Sequence, residues 1–178
     1  MSPVPADDPA LRLAVAFVNT YDLLDDPQDR LTVPVARTLA DRHGFRALGA
    51  ALRTRDLPAL RDLRQQLYQV FAEPDAAAKT DALNAVLAGA DARARLVADG
   101  AAVRLGAVGG PGPIESYGVT LADALARVLA TGGADRLGTC VADPCRCGYV
   151  DRTRAGRQRY CCDLCNDRMA AAAYRRRS

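Results

Sequence analysis

Six cysteines, all between residues 140 and 165, are the side chains of this sequence best placed to do chemistry. Cys140 and Cys145 form one close pair and Cys161 and Cys165 a second, with the arginine-rich segment Asp151–Arg159 between them. Two such pairs of thiolates can converge on one tetrahedral zinc ion at Zn–S distances of about 2.3 Å. Cys147 and Cys162 leave an ambiguity, because Cys147 can replace Cys140 or Cys145, and Cys162 can replace Cys161. Adjacent Cys161 and Cys162 point in different directions, so one ion does not easily take both. A catalytic zinc keeps an open position and usually has a His or carboxylate ligand. The only histidine, His43, is about a hundred residues away in sequence. The expected ion is therefore a single structural Zn²⁺. In zinc-finger peptides the metal contributes ~10–16 kcal/mol, which is also folding energy. A segment this short and poor in apolar residues needs that contribution.

Arginines surround the cysteines. Residues 136–178 carry ten arginines against four aspartates, a balance of +6, while the preceding 135 residues carry fourteen basic and seventeen acidic side chains, a balance of −3. Four thiolates on one Zn²⁺ lower the tail by two charges and leave it basic. A two-residue hairpin loop at Ala155-Gly156 would oppose Arg154 to Arg157 and Arg152 to Arg159, crowding four guanidinium groups onto one face. Like charges so opposed destabilise a hairpin unless that face meets an anion. The alanine-rich segment Cys165–Arg177 has helical propensity. Its Asp163 and Asp167 at the start and Arg175, Arg176 and Arg177 at the end suit the helix dipole, and Arg168 and Arg175 share a face. Arg152, Arg154, Arg157, Arg159, Arg168, Arg175, Arg176 and Arg177 are the candidate contacts to nucleic acid.

The elements that carry this module are read from capping and periodicity. A chain of 178 residues, 49% hydrophobic and without Trp, builds a core mainly from Leu, Val and Ala, which favours packed helices. Leu11–Val18 is a short apolar run, helix or buried strand, and Asp25-Asp26-Pro27 is a turn. Thr32–Arg42 reads as a helix with Thr32 as N-cap, Pro34 in its first turn and Gly44 as its stop. Leu57–Glu73 presents a stripe of Leu60, Leu63, Leu67, Val70 and Phe71, and residues 75–89 form a further helix. Arg95–Val108 changes to a β-hairpin period about the turn Asp99-Gly100, and Gly109–Pro113 is a break. Thr120 is expected to open a helix with Asp123 as capping-box partner, ending at Gly132-Gly133. His43 is read as a helix-terminal histidine favoured by the dipole, and Asn19 and Thr20 as caps of the turn after them.

The Leu13–Val18 run lacks the features of a secretory signal, and no stretch approaches the ~20 apolar residues of a membrane helix. The expected location is cytoplasmic, where cysteines stay reduced and favour metal over disulfide. No Ser-His-Asp, paired-acid or nucleophilic-cysteine arrangement stands out, so a non-enzyme is expected.

Residues 140–177 resemble the CGNR zinc finger of bacterial transcription regulators. The features that match are Cys140-x₄-Cys145, Tyr149, Asp151, Arg154-Ala-Gly156, Arg159-Tyr160-Cys161, Cys165 and Arg168, with a basic helix after them. The name-giving tetrapeptide reads Cys165-Asn166-Asp167-Arg168 here, keeping its cysteine and arginine. Upstream, Phe17-Val-Asn-Thr20, the Asp-rich turn, His43-Gly44, the leucine-striped helix and Leu83-Asn84 are similar to the ABATE domain that accompanies this finger. The resemblance implies a stress-associated regulator with a DNA-binding finger. The expectation is thus an α+β chain: a mainly helical domain with a β-hairpin over residues 1–133, and a treble-clef or ribbon-like zinc finger over 134–178. DNA is the expected partner, with a small-molecule effector or a homodimer open to the N-terminal domain. The alternatives are a zinc-stabilised protein-interaction module and a zinc or redox sensor using Cys147 and Cys162.

Overall fold

Asp8 starts the first helix. Its carboxylate accepts the N–H groups of Ala10 and Leu11 at 2.9 and 3.2 Å, and Pro9 supplies the first-turn geometry of α1, Pro9–Val18. The structure, a computed structural model, describes residues 8–99 and 102–176. In α1, Leu11, Leu13, Ala14, Phe17 and Val18 are all buried, the pattern of a helix enclosed on nearly every side. The apolar run is therefore a helix rather than a strand.

The partner of α1 is α6, Pro113–Gly132, whose buried residues run from Tyr117 to Val128 and beyond. The Phe17 and Tyr117 rings meet with centroids 5.2 Å apart, and the Tyr117 hydroxyl donates to the Ala36 carbonyl. Arg127 of α6 donates to Asp8 at 2.7 Å and also pairs with Asp123. Around this pair lie α2 (Val33–Arg42), α3 (Arg46–Ala51), α4 (Leu57–Ala72) and α5 (Ala76–Gly89). Thr32 caps α2 through the Val35 N–H, and Gly44 follows it at φ +86°. The expected stripe of α4 is buried in full. The chain's one lysine, Lys79, is buried and donates to the Val70 and Phe71 carbonyls at the end of α4, both at 3.1 Å.

Two expectations change. The helix assigned to Thr120 begins at Pro113, so Thr120 lies inside α6 and donates its hydroxyl to the Ser116 carbonyl. Gly118, a weak helix former, is tolerated because its bare face meets Leu63, where an added Cβ would sit 3.2 Å from a methyl carbon. His43 stands at the C-cap of α2, the helix-terminal place expected of it, and burial, then the Arg12 and Arg42 guanidinium groups, disfavours its charged form. The hairpin β1–β2 (Arg93–Asp99, Ala102–Val108) pairs Asp99 with Ala102, so Asp99 belongs to the ladder. Gly100 of the expected turn lies outside the described residues. Arg104 of β2 donates to Asp123 at 3.1 Å, while Leu96, Val103 and Leu105 face solvent. Among the described residues, no helix is long and apolar enough to cross a membrane.

A last hairpin, β3 (Leu137–Thr139) with β4 (Gly148–Val150), leads by a loop to α7, Asp163–Arg175. Leu137 and Val150 join the same core as α1 and α6.

Hydrogen bonds from Arg127 and from the Leu11 and Ala10 N–H groups outweigh burial, which alone raises it, and hold the Asp8 carboxyl below its ordinary value. Asp8→Ala should cost about 1–2 kcal/mol at neutral pH, as expected for a lost N-cap. Because the folded value lies below the unfolded one of about 3.9, this stabilisation is present above about pH 4 and is lost as pH falls through the folded value. Urea unfolding of the two proteins across pH checks this: the difference between them should vanish in acid.

Candidate metal centre and its arginine loop

The β3–β4 hairpin brings the first thiols together. Cys140 follows β3 and Cys147 precedes β4, and the Cys140 N–H donates to the Cys147 carbonyl at 2.9 Å. The turn between them carries Cys145. The other pair comes from the start of α7, where Cys161 precedes the N-cap Cys162 and Cys165 is buried in the first turn. The Sγ atoms of Cys140, Cys145, Cys161 and Cys165 all lie within 4.8 Å of one another. Cys145–Cys161 and Cys161–Cys165 are each 3.8 Å apart. A tetrahedron with Zn–S bonds of about 2.3 Å has an S···S edge of about 3.8 Å. The donor set and its spacing thus fit one zinc ion, which would be held by four thiolates with no position left for a substrate. Its contribution there is to fix the fold of the segment.

Cys147 and Cys162 fall outside this group. Buried Cys147 has its Sγ within 4.8 Å of Cys145 Sγ and an Asp22 carboxylate oxygen, while Cys162 is exposed with its Sγ 3.8 Å from that of Cys161. Burial, then the neighbouring sulfurs, pushes the Cys161 thiol up, and burial pushes Cys165 up to about 12. At Cys140 burial also raises, but the Ala142 and Cys161 N–H groups pull the thiol down overall.

The expected arginine hairpin about Ala155-Gly156 is absent. Residues 151–162 form a loop, and the module's only described strands are β3 and β4. The cause is Asp151, buried at the end of β4. One of its carboxylate oxygens accepts the Thr153 N–H and hydroxyl at 2.7 and 2.6 Å, and the other accepts the Gln158 N–H at 2.8 Å. These bonds compete with a β ladder and win. They, with Arg136 nearby, outweigh burial and keep Asp151 below its ordinary value. Tyr149 locks the far side by donating to the Gln158 carbonyl at 2.6 Å, and the Val141 N–H donates to the Arg159 carbonyl at 3.1 Å. The Asp-x-Thr spelling at 151–153 was the signal for this turn.

Arg152, Arg154, Arg157 and Arg159 project from the loop and are exposed, as are Arg175 and Arg176 at the end of α7. Arg177 lies outside the described residues. Arg168 is different. Its two terminal nitrogens donate to the carbonyls of Asp143 and Ala142 at 3.0 and 2.9 Å, clamping α7 onto the Cys140–Cys145 turn.

The sequence reading missed how the module is fastened. Asn19 neither lines a pocket nor caps a turn with its side chain. Its amide donates to the Gly148 carbonyl at 2.9 Å and accepts the Gly148 N–H at 2.8 Å, as a strand partner would. Gly148 packs on Phe71, where an added Cβ would stand 3.0 Å from the ring, and the Tyr68 hydroxyl donates to the Arg146 carbonyl at 2.9 Å. Thr20 is bonded within the N-terminal domain, donating to the Phe17 carbonyl and accepting from Arg64.

The protein should take up one zinc per chain. Cys145→Ser or Cys165→Ser should lose it, and Cys147→Ser or Cys162→Ser should retain it, as followed by titration against a chromophoric chelator. Zinc displaces protons from the raised thiols, so loading should acidify a weakly buffered solution and the apparent affinity should fall as pH is lowered. Asn19→Ala should destabilise the zinc-loaded protein by about 1–3 kcal/mol in urea unfolding, since it leaves both Gly148 backbone groups without their partner.

Comparison with known families divides the chain in two. Residues 11–135 match the ABATE family, described as "Putative stress-induced transcription regulator", and residues 136–178 match the CGNR zinc finger. No curated protein matches the chain. With the first match covering well over half of its length and the second covering the four-thiol module, the chain belongs to the ABATE family of transcription regulators, with a CGNR zinc finger as its C-terminal part.

Proposed function

We propose that the chain is a non-catalytic regulator that binds DNA through its finger, acts in the cytoplasm, and uses its N-terminal domain as sensor or dimerisation unit. The observation that carries this reading is the set of Arg152, Arg154, Arg157 and Arg159 on the Asp151 loop. Among the described residues, no ion pair engages any of the four side chains, although all sit on a braced backbone. Many arginines of the N-terminal domain are matched to acids, among them Arg30 with Asp25, Arg46 with Asp41, Arg61 and Arg64 with Asp29, and Arg104 and Arg127 with Asp123, though exposed Arg42 and Arg95 are in no ion pair among the described residues. Exposed guanidinium groups held without acidic partners are the electrostatic footprint of a polyanion site.

The family's description as a transcription regulator makes DNA the favoured polyanion. Arg175 and Arg176 extend the basic surface, and Arg177 follows them in sequence. Arg168 acts as a positioning residue, since its guanidinium fork already holds the Cys140–Cys145 turn. Asp163 and Asp167 at the start of α7 are exposed and disfavour phosphate there. The loop therefore leads the contact rather than the helix N-terminus.

With four phosphate contacts, log affinity for duplex DNA should fall against log salt with a slope of about −3 to −4. Arg154→Ala and Arg157→Ala should each weaken binding across all sequences and reduce the slope by about 1. Fluorescence anisotropy of labelled DNA with zinc-loaded protein measures both. Binding that ignores salt, or capture of acidic proteins with no nucleic-acid binding, overturns the proposal.

A further inference from the structure

A cavity of about 270 Å³ opens where the N-terminal domain meets the finger. Val18 and Leu23 give it an apolar wall, and Tyr21, Arg64, Gln65 and Tyr68, with Arg146 from the turn between Cys145 and Cys147, complete its lining. Arg64 is mostly buried. Its Nη1 is bonded to Asp29 at 2.6 Å and Thr20 at 3.2 Å, which fixes the guanidinium 5.6 Å from the Tyr21 ring centroid. No other hydrogen bond of that guanidinium is found among the described residues. Asp29 is shared between Arg64 and Arg61, so one acid serves two cations. Among the described residues, the one ion pair of Arg146 is with exposed Asp143, at 3.9 Å. The Asp22 carboxylate lies within 4.8 Å of the Cys145 and Cys147 sulfurs.

We propose that this cavity is a binding site for a small aromatic carboxylate. Its ring would lie among Tyr21, Tyr68 and the aliphatic wall, and its carboxylate between Arg64 and Arg146. The volume suits a single ring with an acid group and is at the small end for a ligand pocket. Offset or edge contacts to two tyrosines suit a ring, and the guanidinium fork suits a planar carboxylate.

The site also joins two parts of the molecule. Arg146 belongs to the metal-binding turn, and its carbonyl is held by the hydroxyl of Tyr68, which itself lines the cavity. Tyr21 and Leu23 flank Asp22, whose carboxylate reaches Cys147 in the same turn. An occupant would thus grip the N-terminal domain and the finger at once, which makes it an effector of the finger. That last step rests on the DNA-binding reading above, whereas occupancy of the site does not.

The test uses the zinc-loaded full chain with benzoate as probe and benzamide as its uncharged counterpart, in calorimetric titrations. Benzoate should saturate at millimolar concentration, benzamide should bind at least tenfold more weakly, and Arg146→Gln should weaken benzoate at least tenfold while retaining one zinc. Tyr68→Phe keeps the ring and should retain benzoate binding. Absence of benzoate binding, equal binding of benzamide, or unchanged affinity in Arg146→Gln overturns the site. Benzoate should also change DNA affinity in the wild type and have no effect in Arg146→Gln. DNA affinity that is unmoved while benzoate is bound overturns the effector role. Failure of DNA binding without ligand strikes the reading above and leaves the titration result standing.

Discussion

Four sulfur atoms from two distant stretches of chain must meet at the edges of a tetrahedron, and the whole C-terminal module is arranged to satisfy that demand. Its own apolar cluster is small: Ala142 and the cysteines, with Tyr160 and Met169 packed against them. So little apolar surface cannot offset the conformational entropy of some forty residues. Metal ligation supplies what packing does not. The remaining bonds then serve to hold the two pairs in register. Cys140 N–H to Cys147 O closes the first turn, Val141 N–H to Arg159 O ties it to the loop, and Arg168 fastens α7 across it. The last two join the halves that the metal bridges, so ligation and hydrogen bonding reinforce one another.

The module is also seated on the larger domain. Leu137 and Val150 are buried in the helical core, the Asn19 amide completes the edge of β4, and Gly148 lets Phe71 approach the strand. These contacts come from the end of α1 and one face of α4, the same two elements that wall the cavity beside Arg146. The orientation of the arginine loop is therefore set by the N-terminal domain. A change at the end of α1 or along α4 has a short covalent and hydrogen-bonded route to the turn that carries Cys145.

The parts legible in the sequence were those coded by neighbours three or four residues apart. Thr32 with Pro34 and Gly44 delimit α2, the leucine stripe delimits α4, and two close cysteine pairs announce the metal site. Where a reading failed, a distant contact or a competing side chain decided the outcome. Thr120 looked like the start of a helix, yet α6 runs through from Pro113, with Leu63 packed against Gly118 on the way. Ala155-Gly156 looked like a hairpin loop, yet the Asp151 carboxylate collects three donors and bends the chain before a ladder can form. Asn19 could not be understood from its neighbours at all, because its partner lies 129 residues away. The cavity at the junction is illegible for the same reason. Its lining comes from α1 and the turn after it, from α4 and from the finger, and no local pattern joins them.

The tetrapeptide Cys165-Asn166-Asp167-Arg168 shows how one turn of helix divides its work. Cys165 faces the metal cage and Arg168 reaches the turn opposite, while Asn166 and Asp167 between them are exposed. The inner two positions are bound by geometry: a shorter side chain at 168 would leave the Ala142 and Asp143 carbonyls without the donors that align the first cysteine pair. The outer two carry no such constraint from the cage. Asp163 sits in the first turn of α7, where the dipole favours a carboxylate, and Asp167 follows one turn on. The same charge opposes an approaching phosphate at that end of the helix. If the finger meets DNA, Asp163 and Asp167 thus turn the approach away from the start of α7 and toward the loop that Asp151 has folded, whose guanidinium groups make no ion pair among the described residues.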